Sequence, residues 1–161
     1  MSRGRKILAS IAGVLVLVLI GLVVWQGLEY RKDRQIEQAR EEAVAAASEQ
    51  AIEMLAYKFD TAGDELSKAA DGLTGDFRDD YTKLIQDVIV PGAEEKQLTV
   101  QVTVQAGGVI SAEPDSASVL LYLNQITTSA EVPEAQTAGS RVIVDLQKVD
   151  DQWLVSSLKP V

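Results

Sequence analysis

Cysteine and histidine are both missing from the 161 residues. Without cysteine there is no disulfide framework, no thiolate zinc site and no thiol nucleophile. Without histidine there is no Ser-His-Asp triad, no imidazole metal ligand and no imidazole pH switch. Any catalysis would have to run on carboxylates, Lys, Tyr, Ser or Thr. Basic side chains are also scarce, 15 Lys+Arg against 24 Asp+Glu, for a net charge of −9. That balance excludes a generic binder of phosphate backbones, so no nucleic-acid partner is expected.

The charge is unevenly spread. Residues 1–34 carry six basic side chains and two acids, whereas residues 35–161 carry nine basic and 22 acidic ones. Between Ile7 and Trp25 no residue is charged. As a helix rising ~1.5 Å per residue, that run would reach about 28 Å, near the ~30 Å hydrocarbon thickness of a bilayer. It is longer than the apolar core of an ordinary signal peptide, and no small-x-small exit follows it. The expected organisation is therefore a cytoplasmic basic tail (1–6), a transmembrane helix acting as a signal anchor (7–25), a juxtamembrane linker (26–34) and an extracytoplasmic domain (35–161). The expected location is the plasma membrane, single-pass, with the N-terminus inside. Ala9 and Gly13 form a small-x-x-x-small pair on the span. Such pairs let helices approach closely in lipid, which makes both residues candidate partner contacts.

In residues 33–59 apolar side chains recur at helical spacing, with Ala43, Ala47 and Ala51 in the stripe. These alanines could meet a partner or the protein's own sheet. A second helix is expected from about Thr61 to Asp71. A third is expected from Thr74, a natural N-cap, with Phe77, Tyr81, Leu84, Ile85 and Val88 on its apolar face. Pro91-Gly92 should stop it, leaving Ala93 to Lys96 as a charged linker. After Gln97 the period changes to two, and four sequential strands follow. The second carries Val119, Leu121 and Leu123 on one face. A polar loop from about Ser129 to Ser140 precedes Val142–Leu146, and Asp150-Asp151 turns into Trp153–Leu158. The fold class is α+β, three helices packed on a four-stranded antiparallel sheet.

That order resembles the nuclear-transport-factor-like cone. With the anchor included, three blocks look like the actinobacterial Mce-associated membrane proteins. They are Tyr57-Lys58-Phe59-Asp60, then Leu73-Thr74-Gly75-Asp76-Phe77-Arg78-Asp79-Asp80-Tyr81, then Val149-Asp150-Asp151-Gln152-Trp153-Leu154-Val155. The resemblance covers nearly the whole chain. It implies a non-enzymatic accessory subunit supporting an Mce-type lipid and sterol transport complex in the cell envelope. Its partners would be Mce transporter subunits or related membrane proteins. No catalytic motif carries over with it.

Within the shared blocks Thr74, Gly75, Phe77, Arg78, Tyr81 and Trp153 read as a structural motif. Thr74-Gly75-Asp76 suits a helix start, Phe77 and Tyr81 share a core face, Arg78 would pair with Asp79, Asp80 or a strand residue, and Trp153 would lid the concave face. Asp76, Asp79, Asp80 and Asp87 show no calcium-loop spacing, so no metal and no cofactor are expected. The alternative reading is a small apolar ligand in the cone cavity, or an isomerase- or cyclase-like enzyme working there. Such an enzyme needs a carboxylate of raised pKa facing a Tyr or Asp donor. Tyr57, Tyr122 and Asp145 are the available pieces, and alternation sends Asp145 to the face opposite Val144 and Leu146.

Overall fold

The computed structural model describes residues 33–132 and 134–161. The chain divides into a unit Met1–Glu37 and a compact unit Gln38–Val161, and the compact unit carries the features below. The expected transmembrane helix over 7–25, with Ala9 and Gly13, lies outside the described residues. Among the described residues no helix is long and apolar enough to cross a membrane. Among the described residues the expected fold class is therefore corrected to the helix-on-sheet cone, with no spanning helix among them.

Residues 33–55 are helical, and α1 denotes the part from 38 to 55. Its Ala39, Ala43, Ala47 and Ala51 are fully buried and Met54 closes the stripe. Small side chains let the helix axis come close to the sheet. At Gly107 of the sheet, a Cβ would stand 3.2 Å from the Val44 side chain of the helix, and 2.8 Å from a methyl of Leu121 on the neighbouring strand. The helix ends four residues before Phe59. Tyr57 instead forms an antiparallel bridge to Val100, N–H to carbonyl at 2.9 Å and 2.8 Å.

The second helix, α2 (Ala62–Ala69), runs into a 3₁₀ turn at Ala70–Gly72. Glu65 reaches back to accept from the Lys58 N–H at 3.0 Å and the Thr61 hydroxyl at 2.9 Å, satisfying donors at the helix start. Leu73 bridges to Val155, and the Thr74 N–H donates to the Val155 carbonyl at 3.0 Å. Gly75 then turns the chain at φ +62°, a conformation glycine adopts at no steric cost. The helix α3 (Gly75–Leu84) starts there, without a capping bond from the Thr74 side chain.

The expected stop at Pro91-Gly92 does not occur. A π-helical turn at Ile85–Ile89 leads directly into α4 (Val90–Lys96), with Pro91 in its first turn. Proline lacks an N–H and clashes with the carbonyl four residues back. The widened turn and a fresh helix start just before it relieve both problems. Gln97, in the left-handed region at φ 49°, ends α4.

The strands β1 (Thr99–Glu113), β2 (Ser116–Thr128), β3 (Gln136–Val149) and β4 (Gln152–Pro160) form an antiparallel meander in the order β1-β2-β3-β4. β1 continues through Gly107-Gly108, with bulge-like register shifts on either side of the pair, between Val104 and Ala106 and between Val109 and Ser111. β3 begins inside the expected polar loop. Asp150 and Asp151 both have positive φ, the geometry of a two-residue turn that matches strand twist. Ala117, Val119, Leu121 and Leu123 of β2, Val142, Val144 and Leu146 of β3 and Val155 of β4 are buried under the helices. The core therefore lies on one sheet face, and the helices roof it.

Candidate functional site

The cone holds a cavity of about 420 Å³ between the end of α1, α3, the π-helical turn and the sheet. Met54, Leu66, Phe77, Ile85, Ile89 and Val100 give most of it an apolar wall. Its position follows from the elements. The Tyr57–Val100 bridge pulls the chain after α1 onto the start of β1, and the Leu73–Val155 bridge anchors the start of α3 on β4. Residues next to both attachments, Tyr57, Val100 and Phe77 among them, line the cavity. Tyr57, Asp80 and Gln125 supply polar groups to the lining, and none of its residues is basic. Leu84, 49 % exposed, forms part of the rim.

Tyr81 is buried in this wall and its hydroxyl donates to the Met54 carbonyl at 3.0 Å. Burial pushes its phenol above the ordinary tyrosine value, so it stays a protonated donor fixed on backbone. Burial raises the Tyr57 phenol as well. A second recess, about 440 Å³, lies on the other side of Tyr57 and is lined by Glu53, Lys58, Glu65 and Lys68. Glu65 is already committed there to Lys58 and Thr61.

The pieces of the expected acid–base site are not brought together. Tyr57 lines the cavity, whereas Tyr122 is 45 % exposed on the outer sheet face. Asp145 lies on that outer face too, accepting from the Ser118 hydroxyl at 2.7 Å, with Lys159 at 3.6 Å. Ala43, Ala47 and Ala51, expected as candidate partner contacts, are covered by the domain's own core and present no surface.

The remaining motif residues have structural positions. Arg78 pairs with Asp71 at 2.9 Å rather than with Asp79, Asp80 or a strand, because the 3₁₀ turn brings Asp71 alongside α3. Phe77 packs on the core, and Trp153 stands at the rim of the helix-covered face. The Trp153 indole donates to Glu42 at 2.9 Å, and Lys148 reaches the same oxygen at 3.0 Å while lying 5.3 Å from the ring centre. Those contacts, the Trp153 bond first, hold the Glu42 carboxyl below its ordinary value. Among the described residues no group of three or more acidic side chains is placed to hold a metal. Sequence reasoning missed Gln125 and Asp80 as cavity residues. The sequence does not mark them, because Asp80 sits in the run Arg78-Asp79-Asp80 and Gln125 follows Asn124, as solvated residues do.

Residues 5–159 match the family described as Uncharacterized protein Rv1363c/MT1408-like. The chain belongs to this family. It is 39 % identical over 165 residues to Outer membrane protein Rv1973 of Mycobacterium tuberculosis, spanning all of both chains. Two solved structures share the fold at low identity. An IcmL-like type IV secretion system protein of Legionella pneumophila superposes with a TM-score of 0.65 at 14 % identity, covering 76 % of this chain and 91 % of that one. A nuclear transport factor 2-like protein of Salmonella enterica superposes with a TM-score of 0.50 at 8 % identity, covering 71 % and 87 %.

These findings correct four expectations. The family is the Rv1363c/MT1408-like one, not the Mce-associated membrane proteins. With that resemblance go the accessory role in an Mce transport complex and the Mce transporter subunits as partners. The single-pass plasma-membrane location gives way as well, since a relative spanning the full chain is named for the outer membrane.

Proposed function

We propose that this Rv1363c/MT1408-like chain is a non-catalytic domain of the cell envelope that holds one small apolar molecule in its cone cavity. The observation that carries this is the cavity itself. A volume of about 420 Å³ lies within the range of small-ligand sites, and its wall is apolar with a few polar groups. The non-catalytic part rests on the expected acid–base pieces being apart: Tyr122 and Asp145 lie on the outer sheet face, away from Tyr57 in the cavity. The envelope part rests on the name of the full-length relative.

The test is titration of the full chain with N-phenyl-1-naphthylamine, a neutral apolar dye whose emission rises on leaving water. Saturable binding of one dye per chain is expected, weakened by Ile89→Trp, which places a larger ring in the cavity wall. Unsaturable binding, or binding indifferent to Ile89→Trp, would remove the cavity as the site.

A further inference from the structure

Resting on that reading, we infer that the cavity selects an uncharged amphiphile with a hydroxyl head, an alcohol rather than a carboxylate, by the polar groups Tyr57, Asp80 and Gln125. All three line the one cavity. Each acts differently. The Asp80 carboxylate is acceptor-only, the Tyr57 phenol can donate or accept, and the Gln125 amide offers both a donor and an acceptor. A hydroxyl head matches this set, since it donates to Asp80 while accepting from Tyr57 or Gln125. The hydrogen bonds among described side chains leave these three groups for a ligand, while the neighbouring Tyr81 hydroxyl is already used by Met54.

Charge decides against the other common head of an apolar chain. A carboxylate entering this cavity would give up water without meeting a cation, because no Lys or Arg lines it. An unpaired charge that loses its water is costly, and Asp80, exposed at the rim, adds a solvent-screened like-charge repulsion. Asp79 precedes Asp80, and Asp76 lies in the first turn of the same helix, so the flank of α3 is acidic as well. The recess where Lys58 and Lys68 stand shares Tyr57 and Val100 with the cavity, but neither lysine lines the cavity itself.

The experiment is displacement of N-phenyl-1-naphthylamine from the full chain at pH 7.5 by 1-decanol and by decanoate, which have equal chain length and differ in the head. Decanol partitions into any apolar site better than an ion, so the decisive quantity is the ratio of the two affinities across variants. In Asp80→Lys the decanol preference should fall by roughly twofold to fivefold, the size of an exposed charge interaction. Tyr57→Phe should weaken decanol several-fold and leave the dye affinity unchanged.

Equal affinity of the parent for decanol and decanoate would overturn the selectivity and leave the binding reading standing. An affinity ratio identical in parent, Asp80→Lys and Tyr57→Phe would do the same. Failure of the dye itself to bind would remove the binding reading, and the selectivity with it.

Discussion

Glu42 ties α1 to the β3–β4 hairpin through one carboxylate oxygen shared by the Trp153 indole and the Lys148 ammonium. Its folded-state pKa lies below the ordinary 4.5, so the ionised form is favoured by folding. The stabilisation is present above the unfolded value and drains as pH falls through the depressed folded one. Trp153 reports this directly. In a Trp25→Phe background its emission should titrate with a midpoint below 4.5, and Glu42→Gln should abolish the transition. A midpoint above that value would mean the indole follows a different acid. Tyr81 offers a second test at this scale. Tyr81→Phe leaves the Met54 carbonyl without its partner in a buried place, and should cost about 1–3 kcal/mol in urea unfolding.

Among the elements, α1 and β1 are fitted to each other by small residues. Ala43, Ala47 and Ala51 face the core, and Gly107 leaves room for the Val44 side chain. Ala47→Leu should therefore lower stability by about 1–3 kcal/mol through overpacking, read as a drop in melting temperature. Had the stripe been a contact for another protein, the same substitution would leave melting unchanged. Gly107→Ala should act in the same direction, because its new Cβ must displace Leu121 or Val44. The sequence made α1 and the strand alternation legible, since one face of each is covered and periodicity records covering. It did not show what the Ala stripe covers, because close packing on a partner and on one's own sheet require the same small side chains. The passage from α3 through the π-helical turn into α4 was hidden for another reason. Pro91-Gly92 carries a strong local stop, and the widened turn that accommodates it leaves no compositional mark. β1 similarly crosses two adjacent glycines because pairing with β2 on one side outweighs their weak strand preference.

At the scale of the whole molecule, a four-stranded meander roofed on one face by helices buries a core and still leaves a hollow at one end. The hollow could not be read from periodicity, because Phe77, Tyr81 and Ile85 have the same spacing whether they touch neighbours or line empty space. Its effect on the folded state as a whole is nonetheless measurable. A molecule that binds the native cone and not the unfolded chain stabilises it by RT ln(1 + [L]/Kd), about 1.4 kcal/mol when present at about tenfold above Kd. For a body of this size that corresponds to a rise in melting temperature on the order of 5 °C. 1-Decanol should produce such a rise in the parent chain, with saturation at higher concentration. Alcohols at large also weaken proteins by solvating exposed groups, an effect that grows with concentration and lowers Tm. The sign therefore separates the two actions. Ile89→Trp supplies the control, because filling the cavity should remove the decanol-dependent rise while leaving the cone folded. A monotonic fall of Tm with decanol in the parent would mean that the cavity is not a site for apolar molecules.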